Sequence, residues 1–352
     1  MPAGSRRSPA MDKFSRSIDD YPDGIVLPVD KPYRWTSADV IRKVKYAAIR
    51  HFGKKNLKVG HAGTLDPLAT GILLVCIGNA TKRAEELQSH DKEYVAGIRF
   101  GATTPSYDLE KEVDRRFPYE HVTREAVEAV LPSFLGVQEQ VAPLFSAKSV
   151  DGVRAYEMAR RMYRKVQRGE SAGEDFDAAA LETLRCGKIE FSALELLSFE
   201  AASVSGEGVP LKTQVPPRIS GPLSDSELSS TVPFDFGPLP FMRPPGPPKI
   251  SDFGGVTGGP GFRGDTLSGN IQSVGRASQR INVADTADLQ GLPLARIRIA
   301  CSKGTYIRAF ARDLGEALGS GAHLDSLVRT RSGTYSIDNA LSLEEVLFLL
   351  SE

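Results

Sequence analysis

The sequence predicts an α+β protein, because patterns typical of strands and of helices occur side by side along the chain. Residues 72–77 form an apolar run of the length of a buried strand. Residues 94–100 place apolar side chains at every second position, which is typical of a strand with one buried face. Residues 40–48 instead repeat apolar side chains at helical spacing. Both kinds of element are therefore expected.

The first predicted elements lie close together. A short strand at 25–29 leads through the turn Asp30-Lys31-Pro32 into a helix. That helix begins at Thr36 or Ser37, both of which are good N-terminal caps, and ends at Gly53.

The remaining elements are predicted by the same two patterns. Helical segments are expected at 80–89, 123–136, 307–318 and from 342 onward, and strands at 94–100, 188–199 and 294–300. Ser342 and Glu345 have the spacing of a capping box at the start of the last helix. An acidic, turn-rich connection covers residues 101–118.

The composition is that of an ordinary globular protein, with 352 residues of which 41% are hydrophobic and 25% charged. Basic and acidic residues number 44 each, so the net charge does not indicate a nucleic-acid partner. No apolar run approaches the ~20 residues of a membrane span, and no signal peptide is recognisable. The three cysteines are widely spaced, which disfavours a disulfide framework or a zinc site. We expect a cytoplasmic protein.

Proline and glycine divide the chain. Residues 201–290 hold 12 of the 23 prolines and 13 of the 33 glycines, and apolar periodicity disappears there. We expect this segment to be a disordered insertion. Residues 1–22 are polar and are expected to form a flexible tail. The folded domain would then consist of residues 23–200 and 291–352.

Residues 59–71 place Asp66 on a glycine-flanked turn directly before the apolar strand at 72–77. The glycines leave room for a ligand to approach closely, and Pro67 biases Asp66 toward an extended conformation. A carboxylate at the edge of a sheet can meet a ligand. Asp-Pro pairs and glycine clusters are, however, most often only turns, and the local sequence leaves both interpretations open.

Two stretches concentrate positive charge. Between residues 41 and 60 there are seven basic residues and no acidic one. The pattern at Val153–Arg168 predicts a basic amphipathic helix, in which Tyr156 and Tyr163 alternate with arginines. Such elements suit RNA backbone binding and base stacking. They are equally compatible with solvated helix surfaces.

Separated motifs then occur in a fixed order: Asp30-Lys31-Pro32, His61–Gly71, Lys92-Glu93-Tyr94, Phe145-Ser146-Ala147-Lys148, Ser302–Arg308 and Gly321-Ala322-His323. With these motifs the chain resembles the TruB family of tRNA pseudouridine synthases, over about residues 25–200 and 294–350. The resemblance implies isomerisation of the uridine at position 55, in the T arm of tRNA. The tRNA would be the partner.

The resemblance also implies roles for single residues. Asp66 matches the catalytic nucleophile, which attacks either the base or the ribose. Tyr94 matches the tyrosine that stacks on the flipped uracil and can serve as a base, although by its pattern alone Tyr94 could equally be a core aromatic. Arg308 matches the arginine that pairs with the catalytic carboxylate.

Four further assignments follow from the resemblance. Tyr306 and Leu327 match residues that line the uracil pocket, and His61 matches a histidine near the flipped nucleotide. Lys31 matches a lysine near the active site. Because the isomerisation needs no redox agent or external group, no cofactor and no metal are expected.

The resemblance implies the pseudouridine synthase fold, a central mixed and mostly antiparallel sheet flanked by helices, with the active cleft across it. The implied protein is a monomer that requires no protein partner and no membrane. Many family members carry a C-terminal RNA-binding PUA domain. Since the chain ends about twenty residues after Arg331, we expect a form that lacks this domain.

Two other functions compete with this one. A non-catalytic RNA binder or chaperone could use the same fold, and a guide-RNA-dependent pseudouridylase subunit is a relative that normally carries the PUA domain. The joint presence of Asp66, Tyr94 and Arg308 favours catalysis over binding alone.

Overall fold

A computed structural model of the chain describes residues 13–143, 149–150, 153–154, 187–203, 281 and 283–351. All of them belong to one unit of the chain, which spans residues 1–205 and 272–352. A second unit, residues 206–271, contains none of them.

The described helices are α1 (Ser37–Phe52), α2 (Ala84–Ser89), α3 (Arg124–Val130), α4 (Ile307–Ala317) and α5 (Leu343–Leu349). The first strands are β1 (Ile25–Lys31), β2 (Val59–Ala62), β3 (Thr70–Ile77), β4 (Lys92–Phe100), β5 (Ala102–Thr103), β6 (Arg115–Arg116) and β7 (Gly136–Gln140). They are followed by β8 (Ser149–Val150), β9 (Val153–Arg154), β10 (Gly187–Glu200), β11 (Leu294–Cys301), β12 (Ala322–Ser332), β13 (Tyr335–Ser336) and β14 (Leu341–Ser342).

One sheet of ten strands organises these elements. Its order is β14-β1-β3-β12-β4-β11-β10-β7, with β2 paired to β3 and β13 paired to β12. β1 is parallel to β14 and β3 is parallel to β12, whereas the other pairs are antiparallel. The predicted α+β fold, with a mixed and mostly antiparallel sheet flanked by helices, is confirmed.

β3 is buried on both faces, which explains its unbroken apolar sequence. Leu73, Val75 and Ile77 belong to the main core, which also holds the apolar stripes of α1 and α4. Ile72 and Leu74 face a second cluster formed with β2 and α2. The turn that carries Asp66 therefore leads into the most deeply buried strand of the described sheet.

Both helix starts that the sequence marks are confirmed. Thr36 caps α1 and forms a capping box with Asp39, while Gly53 ends the helix in the left-handed conformation. Ser342 and Glu345 form a capping box at the start of α5.

Three local predictions differ from the structure. Asp30 and Lys31 were expected in a turn, but both pair with β3 and extend β1. Residues 78–83 form a 3-10 turn before α2, so only the second half of the expected helix at 80–89 is α-helical. The basic helix predicted at Val153–Arg168 does not begin at Val153, because Val153–Arg154 form a strand that pairs with Ser149–Val150. The other residues of the predicted helix lie outside the described part.

Parts of the expected tail and insertion pack on the sheet domain. Among residues 13–22, Ile18 is buried, and Phe14 donates a backbone hydrogen bond to the carbonyl of Leu349. At the end of the proline- and glycine-rich segment, Ala284 and Leu289 are buried. The expected disorder of residues 201–290 remains a prediction for the stretch 204–280, which lies outside the described residues. Within the described part, no helix combines the length and the apolarity that a membrane span needs.

Gly71 and Gly53 allow a matched test of how closely β3 and β12 approach. Both have a positive φ, of 93° and 62°, but a Cβ on Gly71 would lie 2.3 Å from the carbonyl oxygen of Arg329, whereas a Cβ on Gly53 would meet nothing within 4 Å. We expect Gly53→Ala to lower the free energy of unfolding by about 1 kcal/mol. Gly71→Ala should cost roughly 3 kcal/mol or more, because strain and a backbone clash add. Urea denaturation would contradict this if the two costs were equal.

Candidate active site

Hydrogen bonds from Ser37 and Lys31 hold the turn that carries Asp66 in place. The hydroxyl of Ser37, at the start of α1, both donates to the carbonyl of Leu65 and accepts from its N–H, each at 3.0 Å. The Nζ of Lys31 donates to the carbonyls of Pro67, Pro32 and Trp35 at 3.1, 3.0 and 2.6 Å. These bonds fix the backbone on both sides of Asp66.

Asp66 forms a two-point ion pair with Arg308, which lies in the first turn of α4. The Nε of Arg308 is 2.8 Å from Oδ2 of Asp66, and its Nη2 is 3.2 Å from Oδ1. The side chain of Asp66 is 37% exposed, whereas that of Arg308 is only 6% exposed. The carboxylate is therefore held from the protein side and open on the other.

A second carboxylate, Asp108, faces the same guanidinium, with its Oδ2 3.6 Å from Nε of Arg308. Asp108 is buried and accepts hydrogen bonds from the hydroxyl of Ser106 and the N–H of Glu110. Burial raises its pKa, which Arg308 opposes. For Arg308, burial opposes the charge, but the carboxylates of Asp66 and Asp108 raise the pKa above its ordinary value. Asp108 was not among the site residues predicted from the sequence.

Asp66 opens into a cleft of about 390 Å³ that is lined, among others, by Tyr94, Tyr306, Arg308 and Leu327. Tyr94 comes from β4 and Leu327 from β12. Tyr306 immediately precedes α4, and its backbone exchanges two hydrogen bonds with the side-chain amide of Gln140, at 2.8 and 3.1 Å. Of the seven residues assigned by the resemblance, the structure thus brings five together at this cleft.

His61 is the sixth, and it lies beside the cleft without lining it. It belongs to β2, where it pairs with Val75 of β3. Its Nδ1 is buried and has no hydrogen-bond partner among the described residues. Burial lowers the pKa of His61, and the nearby charge of Arg329 lowers it further.

Besides Arg308, three further buried cations lie around the cleft. Lys31 lies beneath it, and Lys92 and Arg329 contribute to its lining. Burial lowers the pKa of Lys31 to about 8, against the effect of Asp66, and burial also lowers the pKa of Lys92 to about 8. No role was predicted for Arg329 from the sequence. Its strand position, two residues after Leu327 and hence on the same face, is the signal that could have identified it.

The burial of Tyr94 fits both interpretations that its sequence left open. It is a core residue, since only 8% of it is exposed, and it also forms a wall of the cleft. Burial raises the pKa of its phenol. No group of His, Cys, Asp or Glu residues within the described ranges could hold a metal ion.

Family models and known proteins match the sequence of this chain. A family model described as TruB family pseudouridylate synthase (N terminal domain) matches residues 50–184, and one described as tRNA pseudouridylate synthase B C-terminal domain matches residues 308–351. Proteins named tRNA pseudouridine synthase B from Phocaeicola vulgatus and Bacteroides thetaiotaomicron are 37% and 38% identical over 325 residues, which is 92% of this chain and 92% of each relative. The protein of that name from Thermus thermophilus is 33% identical and covers 90% of this chain and 76% of its own.

Among solved structures, a chain of a Cbf5-Nop10-Gar1 complex matches with a TM-score of 0.48 and 18% identity, over 98% of this chain and 60% of that chain. The present chain therefore spans about 60% of the length of that relative. The family assignment rests on the family models and the sequence relatives. The chain belongs to the TruB family of pseudouridylate synthases, a family of isomerases.

Arg308→Ala tests the ion-pair network through its effect on stability. The change leaves Asp108 buried without its counter-charge, so we expect a loss of about 3–5 kcal/mol in the free energy of unfolding at neutral pH. Without Arg308 the folded-state pKa of Asp108 rises further above the unfolded value. The loss is therefore present while Asp108 is ionised and shrinks as the pH falls through the folded-state pKa.

The measurement is urea denaturation of wild type and variant between neutral and acidic pH. Arg312→Ala, one turn further along α4, is the matched control, because Arg312 pairs with a carboxylate on Asp313 that is 30% exposed. A loss caused by Arg308→Ala that was equal at all pH values would contradict the proposed network.

Proposed function

We propose that this protein isomerises the uridine at position 55, in the T arm of tRNA, to pseudouridine, with Asp66 as the nucleophile and the flipped base stacked on Tyr94. The observation that carries the proposal is the two-point contact by which Arg308 presents Asp66 to a cleft walled by Tyr94 and Leu327. The relatives named tRNA pseudouridine synthase B support tRNA as the substrate.

The cleft has the size and the surfaces that a flipped nucleotide requires. Its volume of about 390 Å³ lies within the range of small-ligand sites. Extruding a base from its stack costs a few kcal/mol, and stacking on an aromatic ring such as Tyr94 can recover ~1–3 kcal/mol. Leu327 and Tyr306 would add apolar contacts to the other surfaces of the base.

The chemistry requires an ionised carboxylate and a group that accepts a proton. In the net reaction the bond between C1′ and N1 breaks, a bond between C1′ and C5 forms, C5 loses a proton and N1 gains one. Arg308 fixes the direction of the Asp66 carboxylate through two hydrogen bonds. The structure is compatible with attack on the base and with attack on the ribose.

The backbone of the tRNA can be held by the basic surface that begins at this site. α1 starts at Ser37, next to the turn of Asp66, and its 16 residues lead about 24 Å away from it. At its far end Lys54, Lys55 and Lys58 are exposed. Lysines in such positions can contact phosphates without reading the base sequence. The second basic element proposed from the sequence, residues 155–168, lies outside the described part.

We further propose that the protein acts in the cytoplasm, as a monomer and without a protein partner. The buried thiols of Cys76 and Cys301 are not in disulfides, which suits a reducing compartment.

Tritium release from tRNA labelled at C5 of its uridines tests the proposed reaction. We expect the wild-type protein to release one equivalent of tritium per tRNA. Asp66→Asn should abolish the release and leave the dissociation constant for tRNA within about threefold, because the amide retains the shape but not the nucleophile. A tRNA with cytidine at position 55 should release none. Equal release by wild type and Asp66→Asn, or release from the cytidine-55 tRNA, would contradict the proposal.

Lys54→Ala, Lys55→Ala and Lys58→Ala test the basic surface. Each lysine that contacts a phosphate contributes about 0.7–0.9 to the slope of log affinity against log salt concentration, so we expect each variant to flatten that slope by this amount. Arg124→Ala is the control, because it removes an exposed charge from α3, outside the basic surface at the end of α1. An unchanged slope in all three lysine variants would place tRNA binding elsewhere.

A further inference from the structure

Arg329 occupies a central position that the proposed reaction does not explain. It lies on β12, directly opposite Tyr94 of β4 and opposite Gly71 of β3. Only 1% of the residue is exposed, yet it lines the cleft. A single side chain thus contacts both strands that carry the site, the one that follows Asp66 and the one that bears Tyr94.

The guanidinium of Arg329 holds the turn of Asp66 at both ends. Its Nη2 and Nη1 lie 3.1 and 3.5 Å from the carbonyl oxygens of Gly63 and Thr64, which precede Asp66. Its Nε donates to the carbonyl of Ile72, beyond the turn, at 2.7 Å. The planar fork of an arginine can reach all three acceptors together, whereas a lysine presents a single ammonium group.

Among the described residues, the charge of Arg329 has no acidic partner nearby. No carboxylate of the described residues lies within 4.0 Å of its guanidinium, although buried arginines are normally paired. Lys31 and Lys92, both buried, add to the positive charge around it. A buried charge without an opposite charge is costly, and packing alone would be served better by an apolar side chain.

The positive charge of Arg329 acts on the phenol of Tyr94. Burial raises the pKa of Tyr94, while the charge and the hydrogen bonding of Arg329 act in the opposite direction. Because a guanidinium only donates hydrogen bonds, it favours the ionised phenol oxygen, which only accepts. The two residues are direct cross-strand neighbours, so this effect is fixed by the sheet register.

We propose that Arg329 is the positioning residue of this cleft, which fixes the turn of Asp66 relative to Tyr94 and keeps the phenol oxygen ready to accept the proton from C5. In that step the C5–H bond breaks, its electron pair returns to the uracil ring and the phenolate oxygen takes up the proton. N1 takes a proton from water, and the hydroxide left behind takes the phenol proton, which restores water and the phenolate. The inference rests on the proposed isomerisation and adds to it a residue outside the Asp66–Arg308 pair.

The first test compares Arg329→Lys with Arg331→Lys in single-turnover tritium release. Arg329→Lys keeps the charge but not the fork, and misplacing a reacting group by about 1 Å can cost about a hundredfold in rate. We expect the rate to fall about 10–100-fold with the dissociation constant for tRNA unchanged within about twofold. Arg331, two residues further along β12 and 56% exposed, should tolerate the same change.

A rate within about twofold of wild type in Arg329→Lys would overturn the proposal. So would a loss of rate matched by an equal loss of tRNA affinity, which would indicate a merely structural role. If the wild-type protein itself released no tritium, the proposed isomerisation would fail, and the second test would still decide the role of Arg329.

The second test needs no activity. Protein labelled with 3-fluorotyrosine is titrated by ¹⁹F NMR, and Tyr94→Phe identifies the Tyr94 resonance. In Arg329→Met the resonance should titrate at a higher pH than in wild type, because the phenolate has lost its neighbouring positive charge. An unchanged titration would show that Arg329 does not act on Tyr94. Arg331→Met is the matched control.

Discussion

The ion pair between Asp66 and Arg308 is the interaction on which the site depends, and it joins residues 242 positions apart in sequence. Asp66 precedes β3, and Arg308 opens α4 after β11. They meet because β12 and β4 lie between β3 and β11 in the sheet and α4 packs against β12 and β4. The pair therefore depends on the pairing of β3, β12, β4 and β11. Its exposed side is the carboxylate of Asp66, which opens into the cleft.

Buried charged side chains surround this pair, and buried charges of this kind contribute little to the stability of a fold. Arg308 is held between two carboxylates, whereas Lys31 and Arg329 are buried against backbone carbonyl oxygens. Replacing such buried ionic groups by apolar side chains is often neutral or stabilising. Their presence at one cleft fits a site that orients a carboxylate.

Most secondary-structure elements and most residues of the cleft could be predicted from the sequence. Period-two and helical patterns identified β3, β4 and α1, and the motifs identified Asp66, Tyr94 and Arg308. Asp108 escaped notice because its role comes from pairing with the distant Arg308, which no local pattern reveals. Arg329 escaped notice because no strand was predicted over Ala322–Ser332, where it shares a face with Leu327. His61 was expected near the flipped nucleotide; the pairing of β2 with β3 places it beside the cleft and not in its lining.

The site also depends on the register in which β12 pairs with β4. Tyr94, Leu327 and Arg329 line the cleft because they lie on one face of β4 and β12, and a slip of one residue would replace the latter two by Val328 and Thr330. Irregularities on either side, between Leu324 and Ser326 and between Arg329 and Arg331, confine the regular segment of β12 to the residues that the site uses. Gly71 then lets β3 approach Arg329 closely. The same contacts that fix the strand register thus set the distance between the carboxylate of Asp66 and the ring of Tyr94.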